Sequence, residues 1–253
     1  MECVYRFIGV IEKRLLEMEK VLEVESTNYR CIVLKILLII IALLYILFLY
    51  MDIFNVELFI TSDGVKYICI VLCFFISLLI GNDTLNKRDI SLLRMGLFCT
   101  VIADLFLLLL PYHTVGIAIF CIAQILYSMR YDAGNTPLVL KRHLIIFLSI
   151  IAIYLIVNYF IREVELLYPI ALFYAIALVS NVVRAINVCK EQRFPSPNRY
   201  MIAYGMILFL LCDVNVALYN TLLSTEMTYV LMWFFYLPSQ VLLALSGKGS
   251  SKA

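Results

Sequence analysis

Two aspartates lie deep inside apolar segments of the sequence, each eight residues after a glycine. Asp104 ends the segment GLFCTVIAD, which begins at Gly96, and Asp213 ends GMILFLLCD, which begins at Gly205. Two carboxyl groups that converge in an apolar setting titrate as a coupled pair, so one is protonated and the other charged near neutral pH. We therefore expect Asp104 and Asp213 to act in general acid and base catalysis. The competing interpretation is that each neutral acid only hydrogen-bonds a neighbouring helix, for about 0.6 to 2 kcal/mol.

Amides and tyrosines accompany the two acids. Gln124 and Gln240 each lie in the apolar segment that follows an aspartate, with Tyr127 and Tyr236 one helical turn away. At a rise of ~1.5 Å per residue from basic residues at the segment ends, the glutamines reach a depth at which they could meet the acids. We expect these four side chains to support the acids, and for the glutamines a purely structural role is an equal alternative.

A third segment carries polar residues at helical spacing. Tyr174, Ala177, Asn181 and Arg184 recur every three or four positions and therefore share one helix face. Contact between such a face and lipid is unfavourable, so we expect it to point into the protein. Tyr174 and Asn181 are further candidate substrate-binding residues. Arg184 lies near the end of its segment and is interpreted as a cytoplasmic anchor in preference to a ligand for a lipid headgroup.

The residues that other reaction classes require are missing or badly placed. His113 and His143 are predicted at opposite membrane faces, so no histidine cluster is available for a metal ion. No serine or cysteine has a histidine base at its depth, and the sequence has no nucleotide-binding glycine motif. The eight cysteines form no C-x-x-C pair and are interpreted as packing residues. We expect neither a metal nor another cofactor.

The candidate residues must be positioned by helices within a membrane. Apolar residues make up 64% of the 253-residue chain and charged ones 15%, and the mean hydropathy is +0.99. Soluble domains have about 25% charged residues. Apolar stretches of about 17 to 22 residues recur, and as helices they suit the ~30 Å hydrocarbon layer. The expected fold is all-α and polytopic, with eight transmembrane helices. Their predicted spans are 31–51, 65–81, 91–111, 115–131, 142–161, 167–188, 200–222 and 227–246.

The distribution of lysine and arginine predicts the orientation. With the N-terminus inside, seventeen of the 20 lysines and arginines lie on the cytoplasmic side. Lys66 and Arg162 lie outside, and Lys35 reaches back from one turn into the first span. This bias predicts cytoplasmic N- and C-termini and suits a bacterial inner membrane. Because membrane topology explains it, no nucleic-acid partner is expected.

Three regions and an internal repeat are predicted. Residues 1–30 are expected to form a cytoplasmic amphipathic helix, residues 31–246 the eight-helix transmembrane domain, and residues 247–253 a flexible tail. The two glycine-to-aspartate segments lie four spans apart, so the halves would be parallel repeats of four helices each. Association into a homo-oligomer stays open.

Five blocks of the sequence resemble one known family. They are similar to successive segments of the YhhN / lysoplasmalogenase family of eight-span membrane proteins: GLFCTVIADLFLLL, GIAIFCIAQILY, YPIALFYAIALVSNVVRA, YGMILFLLCDVNVALYN and FFYLPSQVLLALS. The resemblance implies hydrolysis of the vinyl ether bond of a lysoplasmalogen, a lysophospholipid, to a fatty aldehyde and a glycerophospho-alcohol. It also implies catalytic roles for Asp104 and Asp213 and a site role for Gln240. Gln124 stands where the family usually has histidine.

Two non-enzymatic interpretations compete with a membrane-embedded hydrolase that acts on lipids of the bilayer. A transporter or lipid carrier of the same architecture would use the acids to bind a proton or a cation. A catalytically silent, receptor-like scaffold would use the amphipathic N-terminal helix to recruit a partner. A cavity that opens sideways to lipid with both carboxyls inside would favour the enzyme. A cavity that opens in turn to each aqueous side would favour transport.

Overall fold

Eight helices of membrane-spanning length form the fold. A computed structural model describes residues 29–56, 59–80, 86–132, 134–160, 163–222 and 224–248, and its eight helices are apolar enough to cross a bilayer. These ranges contain no strand, so the prediction of an all-α, eight-span membrane protein is confirmed. The helices are α1 Tyr29–Phe54, α2 Ser62–Leu79, α3 Lys87–Asp104, α4 His113–Tyr131, α5 Thr136–Phe160, α6 Leu167–Lys190, α7 Asn198–Thr221 and α8 Glu226–Leu245.

The chain divides into two compact units, residues 1–42 and 43–253. The described part of the first unit is the first half of α1, whose apolar side chains are mostly exposed, as contact with lipid requires. The second unit holds all the other helices. The predicted amphipathic helix of residues 1–30 and the predicted tail of residues 247–253 lie outside the described residues, apart from residues 29–30 and 247–248.

Polar side chains mark several helix starts. Thr61 precedes α2 and accepts a hydrogen bond from the backbone N–H of Gly64, while Asn86 and Thr225 cap α3 and α8 in the same way. Such caps satisfy backbone N–H groups that have no partner within the helix. Because α2 begins at Ser62, three residues before the predicted start, Lys66 lies one turn inside the helix and is fully buried. The burial of Lys66 was not predicted from the sequence.

The helix contacts of the second unit repeat after four helices. Going round the unit, α2 contacts α3, α3 contacts α4, α4 contacts α6, α6 contacts α7, α7 contacts α8, and α8 returns to α2. Helix α5 packs against α4 and α6. The second half of α1 takes the corresponding place, since Phe48 contacts Trp233 of α8 and Asp52 pairs with Lys66 of α2. This is the contact pattern that two parallel four-helix halves would produce.

Equivalent glycines make equivalent contacts in the two halves. A Cβ atom on Gly96 of α3 would lie 2.8 Å from the ring of Tyr127, and a Cβ atom on Gly205 of α7 would lie 3.0 Å from the side chain of Leu243. Tyr127 and Leu243 each stand three residues after the lone glutamine of their helix. Each glycine thus lets the next helix approach closely, at equivalent positions of the two predicted halves.

The two halves differ directly after the first aspartate. Helix α3 ends at Asp104, and Leu105–Leu109 continue as a π-helix before Pro111. Gly116 of α4 faces this segment, and a Cβ atom there would lie 2.7 Å from Leu107. In α7 the α-helix continues through Asp213 to Thr221. The π segment, which no sequence pattern predicts here, is a common feature of functional sites in helices.

Candidate active site

Asp104 forms a buried hydrogen-bonded pair with Tyr236. The hydroxyl of Tyr236 donates to Oδ2 of Asp104 over 2.6 Å, and the two residues are 5% and 3% exposed. The pair joins α3 to α8, and these two helices also contact each other directly. A hydrogen bond from a hydroxyl to an ionised carboxyl group is stronger than a hydrogen bond between two neutral groups. The phenol therefore fixes the orientation of the acid whether or not it carries a proton.

Asp213 forms the second pair, with Tyr174. The hydroxyl of Tyr174 on α6 donates to Oδ2 of Asp213 on α7. Both residues are partly exposed, unlike the first pair. Exposed apolar side chains, Leu211 and Val214, flank Asp213 on its own helix. The second pair is therefore less enclosed than the first.

Aromatic rings join the two pairs into one site. Phe209 contacts the ring of Tyr236 at a centroid distance of 5.5 Å, and Phe120 contacts that of Tyr174 at 5.8 Å. Phe209 and Phe120 also contact each other at 6.0 Å. No hydrogen bond joins Asp104 and Asp213 directly within the described residues. The structure thus brings together the two acids and two of the predicted tyrosines.

Gln124 is held elsewhere, in a polar network between α4 and α6. Its Oε1 accepts a hydrogen bond from Nδ2 of Asn181 over 2.9 Å, and Oδ1 of Asn181 accepts others from Ser128 and Arg184. Arg184 continues the network to Asp132, with Nε 3.0 Å from Oδ2. No hydrogen bond among the described residues joins Gln124 to either aspartate. The face that carries Tyr174, Asn181 and Arg184 does point inward, as predicted, but it divides between two clusters.

The remaining two candidates, Gln240 and Tyr127, hydrogen-bond to neither acid within the described residues. The carboxamide nitrogen of Gln240 donates to Oγ of Ser239 over 3.3 Å, and its buried Oε1 has no hydrogen-bond partner in the described part of the chain. Tyr127 packs against Gly96 and stacks on Tyr131. The expectation that both glutamines meet the acids is not met by any hydrogen bond in the structure. Depth along a helix was predictable from the rise per residue, but the direction of each side chain was not.

Sequence reasoning missed a second buried cluster at the start of α2. Nζ of Lys66 lies 3.1 Å from Oδ2 of Asp52 and 3.1 Å from Oδ1 of Asp63, and it donates to the hydroxyl of Tyr229 over 2.7 Å. The spacing of Asp63 and Lys66, three residues apart, is a signal for such a pair on a helix. The cluster ties the ends of α1, α2 and α8 together.

The titratable groups do not form a metal site. Within the described ranges, no group of three or more histidine, cysteine, aspartate or glutamate side chains is placed to hold a metal ion. The seven described cysteines are free thiols, and four of them are buried. The chemistry open to the site is that of two carboxyl groups and two phenols in an apolar surrounding.

The sequence model of the YhhN family matches residues 61–247. The chain belongs to the YhhN family. No curated protein matches the chain, and no solved structure matches it either. The matched region begins at Thr61, the cap of α2, and ends just after α8, so both aspartates and both tyrosine partners lie inside it. The resemblance found in five blocks of the sequence is thereby confirmed at the level of the family, and α1 lies outside the match.

Proposed function

We propose that this member of the YhhN family is a membrane-embedded hydrolase of lysoplasmalogens. It would cleave the vinyl ether bond and release a fatty aldehyde and a glycerophospho-alcohol. The observation that carries the proposal is the pair of aspartates in membrane-spanning helices, each oriented by a tyrosine hydroxyl and linked to the other pair by contacts between aromatic rings. Ionisable side chains within a membrane are energetically costly, and proteins usually keep them for a function.

The chemistry of a vinyl ether suits two carboxyl groups. A protonated carboxyl delivers its proton to the outer carbon of the double bond, and the carbon bonded to oxygen becomes an oxocarbenium ion. The partner carboxylate stabilises this cation and takes a proton from the water that attacks it. The resulting hemiacetal divides into an aldehyde and an alcohol, with one water consumed. Both aspartates fit either role.

Access from the bilayer supports a lipid substrate. Asp213 and Tyr174 are partly exposed at mid-helix, and the exposed side chains around them are apolar. A lysolipid whose chain lies in the membrane could therefore bring its ether bond to Asp213 sideways. The excess of lysine and arginine at one end of the bundle supports a bacterial inner membrane as the location, with that end in the cytoplasm.

The test is aldehyde release from a lysoplasmalogen by the purified protein. We expect Asp104→Asn and Asp213→Asn each to lower kcat at least a hundredfold, since general acid or base catalysis contributes about 10² to 10⁴ in rate. Glu191→Gln is the matched control and should retain parental activity, because it changes an exposed carboxylate directly after the end of α6. Thermal unfolding of each variant checks that the fold is kept.

Two outcomes would contradict the proposal. Full activity in both asparagine variants would remove the aspartate mechanism. An inactive parent protein would remove the hydrolase function and favour the carrier or the receptor-like scaffold of the same fold.

A further inference from the structure

Helix α1 is connected to the candidate active site by a row of aromatic rings. The ring of Phe48 on α1 lies 5.9 Å from that of Trp233 on α8, measured between centroids, and Trp233 lies 5.3 Å from Tyr236. Both contacts are T-shaped, with angles of 77° and 84° between the ring planes. The last ring of the row belongs to the tyrosine whose hydroxyl donates to Asp104. All four residues belong to the second unit.

The rings of this row are packed closely enough to fix each other. Phe48 is fully buried, and Trp233 and Tyr236 are also buried. Phe209 of α7 contacts the ring of Tyr236 as well, at a centroid distance of 5.5 Å. T-shaped contacts favour one mutual orientation of two rings and contribute energy beyond that of burial. The position of the Tyr236 ring, and with it that of its hydroxyl, therefore depends on Trp233.

A buried ammonium group contacts the middle ring of the row. Nζ of Lys66 on α2 is fully buried and lies 5.1 Å from the ring centroid of Trp233. Oδ2 of Asp52, one turn after Phe48 on α1, lies 3.1 Å from this nitrogen, and Oδ1 of Asp52 accepts a hydrogen bond from Ser62. Attraction between a cation and an indole ring is strongest where water is excluded. Helix α1 thus supports the indole ring in two ways, directly by a phenyl ring and indirectly through an ion pair.

The support comes from outside the part of the chain that the family model matches. That match begins at residue 61, after the end of α1, and it includes the pair of Asp104 and Tyr236. The row of rings therefore joins a helix that the family model does not contain to a site that it does contain. The position of the Tyr236 hydroxyl in this chain depends on both.

We propose that Phe48 and Trp233 are positioning residues for Asp104, and that they act by holding the hydroxyl of Tyr236 on its carboxyl group. The inference rests on the proposed function, because it takes Asp104 as a catalytic acid or base. It adds α1 to the elements on which catalysis depends. A smaller side chain at position 48 leaves the indole ring room to turn, the phenol follows, and its hydrogen bond to the carboxyl group is made less often. Catalysis then slows although substrate binding is unchanged.

Infrared spectroscopy of the purified full-length protein reads this hydrogen bond and needs no catalysis. At a pH low enough to protonate Asp104, its C=O stretch is assigned as the band that disappears in Asp104→Asn. A carbonyl group that loses a hydrogen bond absorbs at higher wavenumber, so Tyr236→Phe gives the full shift of this band. We expect Phe48→Leu to move the band part of the way in the same direction. If Phe48→Leu does not fold, Phe48→Met keeps more of the buried volume and serves as the same test.

Tyr45→Phe is the matched control on the same helix. It removes the hydrogen bond of 2.9 Å from Tyr45 to the backbone oxygen of Phe234 on α8, and it keeps the ring that contacts Phe48. It should weaken the attachment of α1 without moving the infrared band. An unshifted band in the position-48 variant would overturn the proposal. An equal shift in Tyr45→Phe would also overturn it, because the attachment of α1 in general would then be responsible.

Aldehyde release provides the kinetic test. Phe48→Leu should lower kcat about two- to tenfold at unchanged KM, the range that one aromatic contact contributes. In a Tyr236→Phe background it should have no further effect, because the hydroxyl on which it acts is gone. Losses that multiply in the double variant would show that Phe48 acts by another route and would overturn the proposal. Band shifts as expected in a protein that releases no aldehyde would support the positioning by α1 and contradict only the hydrolase function.

Discussion

At the scale of single residues, the unit of this site is a carboxyl group held by a phenol. In both pairs the tyrosine hydroxyl donates to Oδ2 of the aspartate. Oδ1 of Asp104 receives no hydrogen bond from the described residues, so it is the oxygen open to a reacting group. Because the phenol uses only one lone pair, it orients the acid without blocking proton transfer. Tyr236 and Tyr174 are positioning residues, and Asp104 and Asp213 are the candidates for catalysis.

Removing one phenol tests this division of roles. Tyr236→Phe deletes the hydroxyl from a buried ring, and we expect kcat for aldehyde release to fall about ten- to a hundredfold, the effect of one hydrogen bond to a charged group. KM should change little, because the ring still fills its place. Tyr168→Phe, at an exposed tyrosine on α6, is the control and should behave like the parent. A proportional rise in KM with unchanged kcat would instead assign Tyr236 to substrate binding.

At the scale of helices, the two acids differ in the backbone that follows them. A π-helical segment follows Asp104, whereas the α-helix continues after Asp213. A π-helix widens the turn and shifts the register of the residues that follow it. Leu105–Leu109 adopt this form where α4 approaches most closely, over Gly116. The backbone oxygen of Ala103, one residue before the acid, would lie 3.0 Å from a Cβ atom at that glycine. The backbone conformation around Asp104 therefore depends on the absence of a side chain at position 116 of the neighbouring helix α4.

Gly116→Ala tests this dependence. The added methyl group would lie 2.7 Å from Leu107, closer than real contacts allow, so we expect a loss of about 1 to 3 kcal/mol in stability and a lower kcat. Gly64→Ala is the matched control, because its Cβ would meet the closest atom at 3.3 Å, near the start of α2. Thermal unfolding and aldehyde release are measured on both. Parental activity in a destabilised Gly116→Ala protein would show that the π segment supports only the fold.

Helix existence was predictable from the sequence, and helix contacts were not. All eight spans follow from hydropathy, with ends that differ by up to about six residues, as for α5, which begins at Thr136 instead of 142. Asp104, Asp213 and Tyr236 were predicted because a polar group at membrane depth needs a partner. The pairing of Gln124 with Asn181, and the burial of Lys66, depend on how two helices rotate against each other. Spacing within one helix carries no information about that rotation.

At the scale of the whole molecule, the site departs from the predicted repeat of four helices. Tyr236 stands four residues before Gln240 in α8, and the residue four before Gln124 in α4 is Phe120. If the site followed the repeat, position 120 would supply a hydroxyl to Asp213. Phenylalanine has none, and Asp213 takes its hydrogen bond from Tyr174 of α6 instead. One carboxyl group is thus held from the other half of the molecule and the other from its own half.

Because Tyr174 and not position 120 holds Asp213, we predict that a tyrosine at position 120 rescues part of the loss when Tyr174 is replaced. Phe120 is buried, and its ring lies 5.8 Å from the ring of Tyr174, so a hydroxyl at position 120 would enter the region that the phenol of Tyr174 occupies. Tyr174→Phe alone should lower kcat about tenfold or more. Adding Phe120→Tyr should restore part of the loss, because the new phenol would donate to the unpartnered carboxyl. Phe120→Tyr alone should lower stability, because two phenols would then compete for one carboxyl.

The rescue is measured as a double-mutant cycle, with kcat and thermal unfolding for the parent, both single variants and the double variant. Phe147→Tyr combined with Tyr174→Phe is the control. Phe147 lies on α5, its ring contacts Phe173 of α6, and it is not the position that the repeat pairs with Tyr236. Additive effects in the cycle would show that position 120 cannot reach Asp213. A positive coupling confined to the Phe120→Tyr pair would show that the aspartate accepts a phenol from either helix.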